Sequence, residues 1–236
     1  MSLAIEQEHA VAAATGPVVG IDAGLKTTLV LSTGEQIQAP KPLLHSLQRL
    51  RRANKALARS QRNSRRRTET KTRLARVHLR IANQRSNWLH ETSDRLAKTF
   101  GVIVVEDLSI TGMSNKKRHS GRNWADLGIG ELYRQLGYKA AWRGKTLLTA
   151  DRFYPSSQLC SGCGARRPMP LKVRTYDCPA CGLSLDRDLN AARNLASLAG
   201  MLSESQNARG EHVSLGSTKR RSVKREPSSG QAALVA

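Results

Sequence analysis

The 236-residue chain is short of acid, of aromatic rings and of long apolar runs, and each shortage excludes something. Asp and Glu number 18 against 39 Lys and Arg, a formal net charge of +21. A surplus of that size argues against a cationic partner and for a polyanion, nucleic acid before membrane. No apolar run approaches the roughly 18 to 20 residues that a membrane-spanning helix needs. The opening "MSLAIEQEHAVAAATG" carries acids where a signal peptide would be basic, so no targeting segment is expected. With aromatics at 4%, the core must be built from Leu, Val, Ile and Ala. The four cysteines all lie between positions 160 and 181, which suits metal binding in a reducing cytoplasm better than a disulfide framework.

What is present has a clear order. "PVVGIDAGLKTTLVLSTGEQIQA", residues 17 to 39, alternates β-branched runs with turns at "AGLK" and "STGE", and predicts strand, turn, strand, turn, strand. From Pro42 to about Lys98 the period becomes helical. Leu43, Leu47, Leu50 and Leu57 share one stripe, and a second helix from about Arg73 carries Leu74, Val77, Ile81, Trp88, Leu89 and Leu96. "GVIVVEDL" lacks alternation and predicts a parallel strand covered on both faces. "SITGMSNKKRHSGRNW" predicts a mobile basic loop. A further helix follows with Ile129, Leu132, Leu136 and Ala140 on one face and Gly144 as its stop; "TLLTADRF" predicts another strand. Beyond about Gly200 the chain turns polar and serine-rich, and a disordered tail is expected.

Between positions 49 and 85 stand fourteen basic residues and one acid, Glu69. Charge runs are commonly solvated helix faces, but a run so nearly one-signed favours contact with nucleic-acid phosphates. The candidates are Arg51, Arg52, Lys55, Arg59, Arg62, Arg65, Arg66, Arg67, Lys71 and Arg73, joined by Lys116, Lys117 and Arg118 in the basic loop.

Cys160, Cys163, Cys178 and Cys181 form two C-x₂-C pairs, each followed by glycine. Such pairs can present four thiolates tetrahedrally to Zn²⁺, and with every position filled by sulfur the ion would be structural. Redox-active pairs and plain buried thiols are the alternatives. Three acids are then candidates for a different site. Asp22 closes the strand "VVGID", Glu106 closes "VIVVE", and Asp188 lies in the first turn of the last helix. If the two strands are parallel neighbours, both acids emerge at one carboxyl edge. Side chains alternate along a strand, so Glu106 and Asp107 cannot both face that site. Taken singly, each acid also has a structural reading: a turn residue at Asp22, a surface charge at Glu106, and helix N-terminal acids at Asp186 and Asp188.

"GIDAGLKT", "VIVVEDLSITGM", "FYPSSQLCSGCG" and "CPACGLSLDRDLNAARN" together resemble the C-terminal half of TnpB, or OrfB-type, proteins, the compact transposon-encoded RNA-guided DNA nucleases related to type V CRISPR effectors. The resemblance runs from roughly Pro17 to Leu195. It implies an α/β, RNase H-like (RuvC) mixed sheet flanked by helices, with a basic helical insertion at about 42–98 and an inserted zinc ribbon. The implied division is a wedge-barrel remnant over 1–15, a nuclease core over 16–155, the ribbon over 156–182, the last RuvC segment over 183–200 and a tail over 201–236. The family's catalytic acids fall on Asp22, Glu106 and Asp188, which would hold two Mg²⁺ or Mn²⁺ ions. Asp186 falls to a helix-start role and Asp107 faces away. The implied partners are a guide RNA and DNA, as the single strand of an R-loop, in the cytoplasm of a prokaryotic cell. The guide-holding N-terminal part of the family is expected to lie outside this chain, which opens at "MSLAIEQE". Two other readings stay open: a nucleic-acid-binding relative without catalysis, such as a guide-dependent repressor or transposon accessory protein, and an inactive truncated remnant.

Overall fold

The computed structural model describes residues 16–113, 120–170 and 172–209. The expectations for 1–15, for Lys116, Lys117 and Arg118, and for 210–236 lie outside the described residues. Strands β1 (Val18–Ala23), β2 (Leu29–Leu31) and β3 (Gln36–Ile37) form an antiparallel meander with the turns where the sequence puts them. β4 (Val102–Glu106) and β5 (Thr146–Ala150) add in parallel, giving the order β3-β2-β1-β4-β5. The unbroken apolar run of β4 thus has its reason: the strand lies between two parallel neighbours and is covered on both faces.

Between β3 and β4 the chain makes a hairpin of two helices, α1 (Pro42–Arg59) and α2 (Arg65–Thr99). α2 begins well before Arg73 because Ser64 caps it, its hydroxyl accepting the N–H of Arg67 at 3.2 Å. Leu50, Val77 and Ile81 are buried along the seam between the two helices. The segment expected as a mobile basic loop is partly helical instead, with α3 (Ile110–Met113) and α4 (Gly121–Leu127) bracketing its middle. Ile110 and Trp124 pack on the core, and that burial orders both ends. α5 (Ile129–Ala141) follows Gly128 and ends before Gly144, and both glycines have positive φ. A small antiparallel pair, β6 (Thr175–Asp177) and β7 (Ser184–Asp186), leads into α6 (Arg187–Arg209). This helix continues past Gly200, where an irregular tail was expected; one glycine costs a helix only about 1 kcal/mol.

Strand alternation sorts the sheet into two faces. Val19, Ile21, Ile103 and Val105 point into a core with Leu89, Leu96, Leu132 and Leu136 of α2 and α5. Val104, Leu148 and Ala150 point the other way, onto Leu195 and Ala199 of α6. Gly20 belongs to this second face. A Cβ there would lie 2.0 Å from the Ala192 carbonyl oxygen and 2.5 Å from the Ala196 nitrogen. The small residues Gly20, Ala191 and Ala192 let α6 lie almost backbone to backbone on β1, and that approach places the start of α6 over the sheet edge.

Candidate active site and metal centre

Asp22 and Glu106 reach the same carboxyl edge because β1 and β4 are parallel, with Gly20 opposite Val104 and Ile21 opposite Val105. One further step along each strand puts Asp22 beside Glu106 on the face that α6 covers. Asp188 is delivered from above. Asp186 fixes that delivery: its carboxylate accepts the N–H groups of Asp188 at 3.0 Å and Leu189 at 3.2 Å, capping α6 as the helix begins.

The three half-buried carboxylates feel one another. Burial drives Asp22 well above the usual carboxylate range, and the charges of Glu106 and Asp188 push it further. Burial likewise raises Glu106, opposed by a hydrogen bond from Ser156, with the Asp188 charge adding to the rise. Asp188 is held by Arg187 at 3.1 Å and Arg174 at 3.8 Å. Asp107 faces away, as alternation requires, and pairs with Arg152 at 2.8 Å. From the α5 side comes Tyr133, whose hydroxyl is buried with no hydrogen-bond partner; burial raises its pKa, and the Glu106 and Asp22 charges raise it further. A crowd of mutually repelling carboxylates is a donor set of hard oxygens that fits a divalent cation.

The cysteines converge more tightly. Their four sulfurs all lie within 4.8 Å of one another, where a zinc ion could be bound. The Cys160–Cys181 and Cys163–Cys178 sulfurs are each 3.6 Å apart. A tetrahedron with Zn–S bonds of about 2.3 Å has edges of about 3.8 Å, so the cage is already close to size. Two matching turns make it: the N–H of Gly164 donates to the Cys160 carbonyl and that of Gly182 to the Cys178 carbonyl, both at 2.9 Å. Each glycine has φ near +75°, a conformation other residues resist.

The sequence reading missed what joins the two centres. Asn190 and Asn194, one helical turn apart on α6, are both buried. Asn190 donates to the Leu159 carbonyl at 2.6 Å and accepts the N–H of Ser161 at 2.9 Å. Asn194 donates to the carbonyls of Ser156 and Leu159, each at 2.7 Å. These bonds hold the 156–161 loop, which carries Ser156 to Glu106 at one end and Cys160 to the thiolate cage at the other. The signal was present in "DRDLNAARN", as two amides at i and i+4 in a stretch otherwise read for its acids.

On the hairpin, Arg51, Arg52, Lys55, Arg59, Arg62, Arg65, Arg66, Lys71 and Arg73 are exposed. Arg67 differs: it turns inward to donate to the carbonyls of Leu57 and Ser60, closing the end of α1. Arg49, Arg76 and Arg80, absent from the expected set, line a groove of about 400 Å³ with Arg73 between the two helices. The hairpin is anchored to the core by the buried Asp126, whose carboxylate accepts the N–H groups of Leu43 and Leu44 and pairs with Arg85. Among the described residues no helix is long and apolar enough to cross a membrane.

A sheet of this order, with acids at its carboxyl edge and a thiolate cage beside them, defines a mixed α/β protein with a candidate cation site. Residues 2–117 match the OrfB_IS605 family, described as "Probable transposase", and residues 130–195 match the "Cas12f1-like, TNB domain" family. A protein of Streptomyces pristinaespiralis named "Putative RNA-guided DNA endonuclease" is 39% identical over 99% of this chain and 58% of its own length. The Escherichia coli K12 protein named "Putative RNA-guided DNA endonuclease InsQ" is 30% identical over 82% of this chain and 52% of its own length. A solved Cas12f1–sgRNA–target DNA complex superposes with a TM-score of 0.55 at 18% identity, covering 76% of this chain and 49% of that one. The chain belongs to the OrfB, or TnpB, family. It spans about half the length of the relatives it matches.

Proposed function

We propose that the chain is the nuclease part of a transposon-associated, RNA-guided DNA endonuclease that hydrolyses phosphodiester bonds in the prokaryotic cytoplasm. The observation carrying this reading is the meeting of Asp22, Glu106 and Asp188 at one sheet edge, with burial and mutual repulsion raising the first two. The strand order suits an RNase H-like, RuvC-type core. The cysteine cage suits a structural zinc ribbon, with no position left for water.

Asp22, Glu106 and Asp188 would hold Mg²⁺ or Mn²⁺, as a pair of ions, since clustered carboxylates supply the hard oxygen ligands such cations take. When bound, such ions activate a water and stabilise the leaving 3′ oxygen. The protein's own part is to fix the ligands. Ser156 orients Glu106, Asp186 sets the start of α6 beneath Asp188, and the asparagine ties hold both against β1. The exposed arginines of the hairpin would track phosphates of a guide RNA paired to its DNA target, and the displaced single strand would enter the acidic edge.

The test is cleavage of single-stranded DNA by the full chain with Mg²⁺ or Mn²⁺. Asp188→Ala and EDTA should each abolish it, and affinity should fall steeply with salt. Cleavage surviving either treatment defeats the assignment. Tight, salt-sensitive binding with no cleavage under any metal would favour the non-catalytic binding relative.

A further inference from the structure

The loop that follows β5 is fastened to Glu106 at both ends. Ala150 is the register partner of Glu106 across the β4–β5 pair, and the Ser156 hydroxyl donates to the Glu106 carboxylate. Between these points the loop is stiff. The Asp151 carboxylate accepts the N–H of Phe153 at 2.8 Å, and the Asp151 carbonyl accepts the N–H of Tyr154 at 3.0 Å. Arg152 is tied to Asp107 at 2.8 Å. Tyr154 turns inward onto the cluster of Val104, Leu148 and Leu195, its hydroxyl donating to the Asn194 carbonyl at 3.3 Å.

Phe153 goes the other way. The chain has two phenylalanines; Phe100 is buried, whereas Phe153 is 86% exposed. In a protein this short of aromatics, a ring held out in water by a tight Asp-anchored turn contributes nothing to the core. It stands three positions from Ala150 and three from Ser156, so its backbone lies within about 10 Å of both attachments to Glu106. The neighbouring Arg152 is engaged by Asp107, while the chain as a whole carries a net charge of +21. A π-face presented on a hydrogen-bonded turn, close to carboxylates suited to phosphodiester hydrolysis, matches the way proteins hold unpaired nucleobases.

We propose that Phe153 is a stacking platform for a base of the DNA single strand being cut, next to the phosphate held at Asp22, Glu106 and Asp188. The platform deepens the nuclease reading and rests on it. It sets the register of the strand across the acidic edge, and stacking makes it tolerant of sequence, since every base has a π-face.

The experiment uses the full chain with single-stranded DNA and RNA oligonucleotides carrying 2-aminopurine, whose fluorescence is quenched by stacking. Binding is measured in EDTA, and cleavage is followed in parallel with Mg²⁺. Phe153→Ala should weaken single-stranded DNA binding roughly tenfold and abolish the quench. Phe153→Trp should retain both, and Phe153→Leu should behave like the alanine variant. Duplex affinity should not change. Because the ring is on the surface, all three variants should melt with the wild type. Wild-type binding and quench in Phe153→Ala overturn the platform, as does a quench seen with RNA alone. A wild type that never cleaves, yet loses its quench in Phe153→Ala, upholds base stacking at Phe153 and defeats the nuclease reading instead.

Discussion

Gly20→Ala is the smallest change that tests how the site is assembled. The added methyl would sit 2.0 Å from the Ala192 carbonyl oxygen, 2.5 Å from the Ala196 nitrogen and 2.9 Å from the Leu195 Cβ. None of these atoms is the end of a flexible side chain, so the strain cannot be relieved by a rotamer change. Opening the first contact even to 3.0 Å requires α6 to retreat from β1 by about 1 Å. Overpacking of this kind costs about 3 kcal/mol when the neighbours are backbone, or roughly 6 to 12 °C in melting temperature for a domain of this size. Function should suffer more than stability. Asp188 rides on α6 while Asp22 and Glu106 ride on the sheet, and a 1 Å misplacement within a catalytic site can cost about 100-fold in rate. Thermal melting and metal-dependent cleavage of single-stranded DNA by the variant measure the two effects. A melting temperature and a cleavage rate both equal to wild type would refute the claim that direct backbone packing at Gly20 positions the acids.

Asn194→Ala should cost about 2 kcal/mol, since it leaves the buried Ser156 carbonyl without its side-chain donor and the Leu159 carbonyl with Asn190 alone; an unchanged denaturant midpoint would count against the tie. Asp22→Asn should stabilise the metal-free protein at pH 8 while destroying cleavage. The sign follows from burial, which raises Asp22 above its unfolded value: stability is fully present below the ordinary carboxylate range and is lost as pH rises through the folded value. The stabilisation should therefore vanish near pH 4, and a melting profile parallel to wild type at every pH would contradict it. Elemental analysis should find one zinc per chain, bound by Cys160, Cys163, Cys178 and Cys181; a preparation folded without zinc would remove the structural role given to the cage.

Much of this protein could be read along the chain because the relevant signals are local. The strands around "VVGID" and "VIVVE" follow from β-branched runs between turns, and the cage follows from the spacing of two cysteine pairs. The helical stripe of α5 needed only its period. The readings that failed were those in which distant contacts decide. Ile110 and Trp124 look like parts of a polar loop until they meet the core, and Arg67 looks like one more free cation until the end of α1 offers it two carbonyls.

By itself the sequence determined which residues can carry chemistry: three acids at element ends, four cysteines in two pairs, and a helical stretch of nearly uniform positive charge. Tertiary structure alone decided which of them stand together. Parallel pairing of β1 with β4 put Asp22 beside Glu106, and the glycine that admits α6 brought Asp188 to them. The tie from Asn194 to the loop bearing Ser156 and Phe153 spans nearly forty residues of chain, a separation at which local propensity says nothing. Only closing that distance in space brings the amide to the loop whose hydroxyl reaches Glu106.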